Sequence, residues 1–582
     1  MAKLNKLRTG AARFMHRRHA RRAARRDIST SFVTLPLPRT IGVVARGKQL
    51  IEGNFLFSGL LVEGPEQSIW QIAQNNPLVS DEIHGCAWLD DLAAVGDDAA
   101  RQKAQSWVAD WIAAYGGGDG PGWTPGITGR RLIRWINHGA FLLRGQGKDF
   151  STKFYRTLGQ QTVFVSQRWV AAHPGLRRFE ALSGAIYGGL SLKNMDQSID
   201  TLVAALAIEC DTRIGDDGSI ESRNPEELLE VLSLLIWTRD ALQSAERTVP
   251  QSVSSAITRI APAMRALRHA DGGLARFHGG GRGIDGRLDE ALAYSGVRST
   301  PSTAPLMGYA RLTSGRTTVI VDAAAPPSGP SSIYAHASTL ALELTSGRRP
   351  VIVSCGSGAR FGQNWLRASR ATPSHSTVMI EGVSSSHLAD RPHETGAKEE
   401  LVEIPRQVRC DHMQTESGRK LELSHNGYQP DFGLTHGRTL ELSVDGRTLI
   451  GEDYLMTLGD SDKAIFGKAL KSAVDRGIPY TVRFHLHPDV DVDVNTEGSA
   501  AALRLKSGEV WVFSHDGTAK LSLSASVYLE NGRLKPRATQ QVVLSGHALA
   551  YATRVRWSLA KAQDTPSFVR DFPKGDRMDL TD

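Results

Sequence analysis

Cysteine is scarce in this chain: four in 582 residues, Cys86, Cys210, Cys355 and Cys410, far apart and with no paired spacing. That excludes a disulfide framework and a cysteine zinc site, and it fits a reducing compartment. No run of about 18 apolar residues occurs, so nothing reads as a membrane-crossing helix. The basic start is followed by no apolar core of about 7–15 residues, which argues against a secretory signal. The expectation is a cytoplasmic protein, with periplasmic or envelope-associated placement as the alternative. Acid is missing from residues 1–26, which hold ten Lys or Arg. Subtracting those ten from the formal net charge of +8 leaves −2, so the rest of the chain is nearly neutral and the basic balance does not indicate a nucleic-acid partner. The basic segment reads as a disordered arm, residues 1–30. The alternative is a weak amphipathic helix (Leu4, Leu7, Phe14 and Met15 among the cations) that touches an anionic membrane or polymer.

Hydrophobic content of 41% and charged content of 22% are those of a globular chain, and the length calls for two to four domains. Apolar residues recur at three and four from about 68 to 270, predicting helices at Asp90–Tyr115, Arg130–Leu143, Phe154–Ala172, Arg177–Leu192, Ser198–Cys210, Pro225–Ala245 and Val253–Leu267. Short Gly- and Asp-rich connections predict stacked antiparallel hairpins. From about 300 the period becomes two. Arg316–Asp322, Thr339–Leu344, Pro350–Ser354, Thr439–Val444, Thr481–Leu486, Leu521–Tyr528 and several others read as strands, with turns such as Val444-Asp-Gly-Arg447 and Glu530-Asn-Gly-Arg533. Many close-spaced strands predict a large antiparallel structure, a sandwich. The Gly-rich stretch 271–300 bridges the two halves.

Several segments then stand out in a fixed order: Gly308-Tyr-Ala-Arg311, Val321-Asp322-Ala-Ala324, Tyr334-Ala-His336-Ala-Ser338 leading to Leu344, Arg349 to Gly356, Ser374-His375-Ser-Thr-Val378, Leu434-Thr-His436-Gly-Arg438 and Phe484-His485-Leu-His487-Pro488. In the helical half, Arg131-Leu-Ile-Arg-Trp135 and Asp217-Gly218 through Arg223-Asn-Pro225 join them. Together these resemble the heparinase II/III-like polysaccharide lyases from about Trp70 to Leu559. The resemblance implies an α+β multidomain protein: an incomplete (α/α) toroid over 31–295, followed by an antiparallel β-sandwich over 296–582. It also implies β-elimination at a uronic acid in an acidic polysaccharide or oligosaccharide. That chemistry needs a base for the C5 proton, a cation or donor for the carboxylate, and an acid for the leaving oxygen.

Carried over residue by residue, the resemblance makes Tyr334, His336, His375 and Arg223 the catalytic candidates. Arg177, Arg178, Asn137, His138, Trp365 and Arg370 become the substrate-binding candidates. The departures are equally specific. Tyr334 stands where the family commonly has a first histidine, and Ser338 where it has an aspartate. Some relatives bind zinc at the positions of His336, Ser354 and His375; serine is a poor ligand there, so no cofactor is required, and a divalent metal, zinc or calcium, rests on His336 and His375 alone. No Tyr follows the Asp217-Gly218 turn, and the Asn137-His138 pair lies one helix earlier than the family's pair. Each candidate also has an ordinary structural role: strand-end histidines bonded in the core, Tyr334 as a packed aromatic, Arg223 as a helix brace, His138 in an apolar face, and His436 with Arg438 in cross-strand pairing; His485 and His487 share one sheet face and could bind metal, but Pro488 and the Val-Asp alternation after it suggest an ordinary sheet edge. Three functions stay open: a uronate-glycan lyase with a modified site, a glycan-binding protein without catalysis on the same scaffold, or a cytoplasmic or envelope-associated structural protein tethered through the basic tail. The chain is also compatible with a homodimer.

Overall fold

The computed structural model describes residues 2–26, 29–64, 68–72, 76–298, 304–389, 399–473 and 476–564; the side chains of Leu4 and Leu7 lie outside the described set. Two compact units divide the chain. One takes Met1–Asp216, Leu229–Ala261 and Asp289–Val297; the other takes Asp217–Leu228, Pro262–Leu288 and Arg298–Asp582. Among the described residues no helix is long and apolar enough to cross a membrane.

The first unit is helical. Its order is Ala2–Ala24, Val44–Glu52, a short hairpin (Asn54–Phe57 with Leu60–Glu63), then Ile69–Ile72, Pro77–His84, Ala87–Val95, Asp98–Tyr115, Pro125–Asn137, Gly139–Leu143, Lys148–Arg168, Leu176–Ser191 and Ile199–Arg213, followed by most of Pro225–Ser244, Gln251–Ala266 and Arg287–Ser295. The single helix expected over Asp90–Tyr115 is broken. Gly96 ends the first piece in a left-handed conformation (φ 73°), and the Asp97 carboxylate caps the second by accepting from Ala100 N at 2.7 Å. Apolar periodicity runs across this junction because both pieces bury the same face. The helix expected over Arg130–Leu143 likewise divides at His138.

The basic arm is also different from expectation. Residues Ala2–Ala24 form a helix rather than a disordered tail. Alanine and arginine are good helix formers, and tertiary contact supplies the remaining stabilisation. Ala20 and Ala23 are buried, the Gln160 amide donates to the Ala24 carbonyl at 2.8 Å, and the His16 ring packs edge-on against Phe164. Arg17 and Arg21 pair with Asp119 at 2.9 and 2.7 Å, but both arginines are exposed and Asp119 is only half-buried, so such pairs contribute little.

Tryptophan fills the centre of this unit. Trp88, Trp107, Trp111, Trp123 and Trp135 are buried, with Trp111 edge-on to Trp135 and Trp135 stacked on Phe154. Helices Pro125–Asn137 and Leu176–Ser191 cross at glycines: a Cβ on Gly184 would lie 2.3 Å from Gly129 Cα, and one on Gly129 would lie 2.1 Å from the Glu180 carbonyl oxygen. Gly184→Ala is therefore expected to push the two helices apart and cost about 1–3 kcal/mol, read as a lowered melting temperature. An unchanged melting temperature would mean that this crossing is not close-packed.

The second unit is a pair of eight-stranded sheets, antiparallel throughout. The first sheet runs Val408–Gln414, Gly418–Tyr428, Leu434–Ser443, Thr448–Met456, Ala552–Gln563, Val510–His515, Ala500–Leu505, Val490–Val494. The second runs Lys520–Tyr528, Arg537–Ala548, Ile478–Leu486, Arg349–Val353, Leu342–Ser346, Thr317–Asp322, Tyr309–Ser314, with Val378–Ile380 also paired to Ile478–Leu486. Both expected turns close hairpins: Leu442 pairs Leu449 around Val444–Arg447, and Tyr528 pairs Arg537 around Glu530–Arg533. Leu312, Val319 and Leu344 of one sheet share a core with Leu421, Leu440 and Trp511 of the other, which makes the two sheets a sandwich.

Candidate functional site

Three candidates from the strand-rich unit, Arg223, His336 and His375, gather around Asp322, the last residue of its strand and fully buried. Four chain segments converge there, and three of them enter through non-glycine residues in left-handed conformation: Arg223 (φ 48°), His278 (φ 47°) and Met307 (φ 53°). L-residues resist this region, so each is held by surrounding contacts.

The Arg223 guanidinium is saturated. Its Nη2 donates to Asp322 Oδ1 at 2.6 Å and to the Gly308 carbonyl at 2.8 Å. Nη1 donates to the Ala325 and Ala324 carbonyls at 2.8 and 3.2 Å, and Nε to that of Met307 at 3.2 Å. The Tyr309 ring lies 4.7 Å from the guanidinium carbon, and its hydroxyl donates to the Arg223 carbonyl at 2.6 Å. Ser338 Oγ donates to Asp322 Oδ2 at 2.7 Å, so the serine standing where relatives have an aspartate leans on another carboxylate. His278 Nε2 is 3.2 Å from Asp322 Oδ2, while its Nδ1 accepts from the His336 backbone N–H at 3.1 Å, which fixes the Nε2–H tautomer. Burial works against the Asp322 anion, but Arg223 and His278 outweigh it and hold the carboxyl well below its usual range.

His336 and His375 stack with ring centroids 4.7 Å apart, and both are buried. The backbone N–H groups of His278 and Gly279 face His336 Nδ1 and Nε2 at 3.2 and 3.1 Å. Since a neutral imidazole has one acceptor nitrogen, each tautomer satisfies one of the two. His375 Nδ1 is 3.2 Å from Ser354 Oγ, and its Nε2 is buried without a partner. Burial, reinforced by His375, His278 and Arg370, holds His336 well below the usual histidine range; burial, with His485 nearby, holds His375 at about 3. Both are neutral at physiological pH.

This donor set does not fit a metal. His336 directs its nitrogens at N–H donors, the third position is the Ser354 hydroxyl, and no group of three or more His, Cys, Asp or Glu able to hold an ion occurs among the described residues. Zinc needs three protein ligands or more, and calcium needs carboxylate oxygens.

Tyr334 is 37% exposed, in contrast to the buried imidazoles. Arg370 braces its segment: Nε donates to the Ala335 carbonyl at 2.9 Å and Nη2 to that of Ser332 at 2.8 Å. Trp365 is half-buried on helix Gln363–Arg370. In the helical unit, Arg177 faces Glu180 at 3.2 Å and Arg178 faces Glu209 at 3.3 Å. His138 Nε2 is 2.9 Å from Asp90, and Asn137 is buried with Oδ1 unpartnered. Three of these four substrate-binding candidates already meet a carboxylate of the same unit.

Sequence reasoning passed over His278, which it read as part of a Gly-rich bridge; its one signal was a histidine set immediately before three glycines. It also missed the cluster in which His485 Nε2 meets the Pro373 carbonyl at 2.8 Å, leaving Nδ1 to Ser526 Oγ at 2.7 Å and Cys355 Sγ at 3.5 Å. His436 and Arg438 both engage Asp453, at 2.8 and 2.7 Å, inside the sandwich.

A family profile described as heparinase II/III-like, C-terminal, matches residues 297–558. FtsZ-localized protein C of Caulobacter vibrioides is 30% identical over 547 residues, covering 91% of this chain and 92% of that protein. Among solved structures, one of heparinase III aligns with a TM-score of 0.68 at 12% identity, covering 92% of this chain and 87% of that one. A heparan sulfate lyase HepC mutant from Pedobacter heparinus aligns at 0.57 and 14% identity, covering 97% and 91%. At such identities the structures speak for the fold, a toroid of helices followed by a β-sandwich. Together with the matched profile and the full-length relative, they show that the chain belongs to the heparinase II/III-like family.

Proposed function

We propose that this chain is a binding protein on the heparinase scaffold rather than a working lyase, and that it localises with FtsZ as the name of its 30% identical relative states of that protein. One observation carries the first part. The groups that would do the chemistry are committed to the protein interior: Arg223 spends its donors on Asp322 and four carbonyls, and His336 and His375 are 1% and 0% exposed. A base must reach its proton within hydrogen-bond distance, and a cation must offer free donors to the substrate carboxylate. A binding surface needs neither.

The second reading, a uronate lyase with an altered site, is favoured by Tyr334, whose phenol belongs to a 37% exposed residue in the segment where relatives carry a catalytic histidine. An assay for 4,5-unsaturated uronate separates the two, using heparin, heparan, chondroitin, hyaluronan, alginate and bacterial acidic polysaccharides, each with and without divalent metal. The expected result is no ultraviolet-absorbing product, with retention of the protein on at least one immobilised acidic glycan or on FtsZ. Product formation that disappears in Tyr334→Phe would establish the lyase instead. A fluorescent fusion that stays diffuse in cells with assembled FtsZ would remove the localisation.

A further inference from the structure

Apart from the histidine cluster, the strand-rich unit holds a cavity of about 450 Å³ between helix Gln363–Arg370 and the short hairpin His387–Leu388 with Leu401–Glu403. Neither Tyr334, His336 nor His375 lines it. Its size falls in the range of small-molecule sites.

The polar groups on its wall are unevenly matched. Arg367 is paired with Glu399 at 3.1 Å, and His387 Nδ1 lies 2.7 Å from a Glu403 carboxylate oxygen. Arg370 is different. Only 2% exposed, it donates to three backbone carbonyls, of Ala335, Ser332 and Glu399; among the described residues it makes no hydrogen bond to a carboxylate, although the Glu399 carboxylate acts on its charge from nearby. Carbonyl dipoles answer a buried guanidinium incompletely, and burial holds Arg370 at about 10, below the ordinary arginine value. On the same cavity wall Ser386 is 3% exposed, and its Oγ has no hydrogen-bond partner among the described residues. A buried hydroxyl left unpaired is costly, and the two groups share one cavity. Val383, Leu388 and Leu401 give the cavity an apolar side.

We propose that this cavity binds a small monocarboxylate, its carboxylate held by Arg370 and the Ser386 hydroxyl and its body resting on Val383, Leu388 and Leu401. Unlike Arg223, whose five donors are all spent, Arg370 gives three of its five N–H groups to carbonyls, which leaves one on Nη1 and one on Nη2 for a ligand carboxylate. The shared chemistry has two sources, a hydroxylated sugar acid and an aliphatic acid. This assignment goes beyond the binding-protein reading above and does not depend on it, because its readout involves neither glycan turnover nor FtsZ.

The test is calorimetric titration of the full-length protein with D-glucuronate, isovalerate, D-glucose and inorganic phosphate. Saturable binding is expected for one of the two carboxylates, at least roughly tenfold tighter than for glucose or phosphate, as a charge-assisted pair implies. Whichever carboxylate binds identifies the source. Arg370→Met should abolish binding; because Arg370 also braces Ser332 and Ala335, Ser386→Val serves as the milder variant and should weaken binding roughly tenfold at a melting temperature no lower than that of the wild type, since it removes an unpaired buried hydroxyl. Arg367→Gln, at a side chain 61% exposed, should change affinity less than about threefold. Absence of saturable carboxylate binding, equal binding of glucose or phosphate, or an affinity untouched by Ser386→Val would overturn the assignment.

Discussion

Asp322→Asn is expected to destabilise the strand-rich unit by ~3–5 kcal/mol, the cost of leaving a buried charge without its counter-ion. The substitution keeps volume and shape but removes the negative charge from a carboxylate that faces Arg223 at 2.6 Å, Ser338 at 2.7 Å and His278 at 3.2 Å. Arg223 stays cationic, because no carbonyl in its shell can neutralise it. Left-handed Arg223 and His278 would lose a contact that offsets their backbone strain, and Met307, whose carbonyl accepts from Arg223, would be disturbed through it, so the segments converging on Asp322 should loosen together. The measurement is denaturant unfolding followed by β-sheet circular dichroism, with hydrogen exchange of the Thr317–Asp322 amides as a local reading. Two compact units need not melt in one step, so the local reading protects the interpretation. A double variant, Arg223→Met with Asp322→Leu, should be less destabilised than Asp322→Asn, because it removes both charges. A loss below about 1 kcal/mol for Asp322→Asn would show that the native state does not hold Arg223 as an isolated ion.

Acid should unfold this protein early, between pH 6.5 and about 5. Burial holds His84 and His375 at about 3 and His336 and His425 well below the usual value, so all four are neutral in the folded chain. Unfolded histidine titrates near 6.5. Below that pH the unfolded state binds protons that the native state refuses, and stability falls as pH falls until the folded values are reached. At pH 5 each of His84 and His375 costs about 2 kcal/mol relative to pH 7, large against a total of about 5–15 kcal/mol. Asp91 acts in the opposite sense. Burial pushes it up to about 6, so it takes up a proton in the folded state first and returns about 1 kcal/mol at pH 5. The stability contributed by Asp322, Asp453 and Asp90, all held below the usual carboxyl range, is lost only at more acid pH. His375→Gln cannot take up a proton in either state and should remove about 2 kcal/mol of the pH 7 to 5 loss, whatever it does to stability at pH 7. Melting curves of wild type and variant at both pH values decide this; equal pH dependence would mean that His375 is not held neutral.

The strands were the most readable feature of the sequence. Thr448–Met456 alternates buried and part-exposed residues along its whole length, and the Val444–Arg447 turn closes its hairpin in the expected place. Period-two patterning is set by neighbours in the chain, so local sequence carries it. Helix boundaries were less readable: the break at Gly96-Asp97 carries its own cap chemistry, yet the apolar face continues through it. The basic segment was misread because its composition favours solvation, while Ala20 and Ala23 are small enough to pack closely against helix Lys148–Arg168.

Around Asp322 the balance reverses. The motifs marking His336, His375 and Arg223 as candidates lie in the sequence, but nothing local tells that Arg223 spends its donors 84 to 102 positions away, on Met307 to Ala325, or that His278 turns its ring to a carboxylate from another segment. What the amino-acid order determines by itself is the succession of helical and alternating patterns, the basic N-terminal segment and the family motifs, because these depend on spacing along one stretch of chain. Which charges are buried, which histidines stay neutral, and which hydroxyl or guanidinium is left for a ligand are decided only in the tertiary structure, because burial and pairing belong to residues brought together from distant parts of the chain.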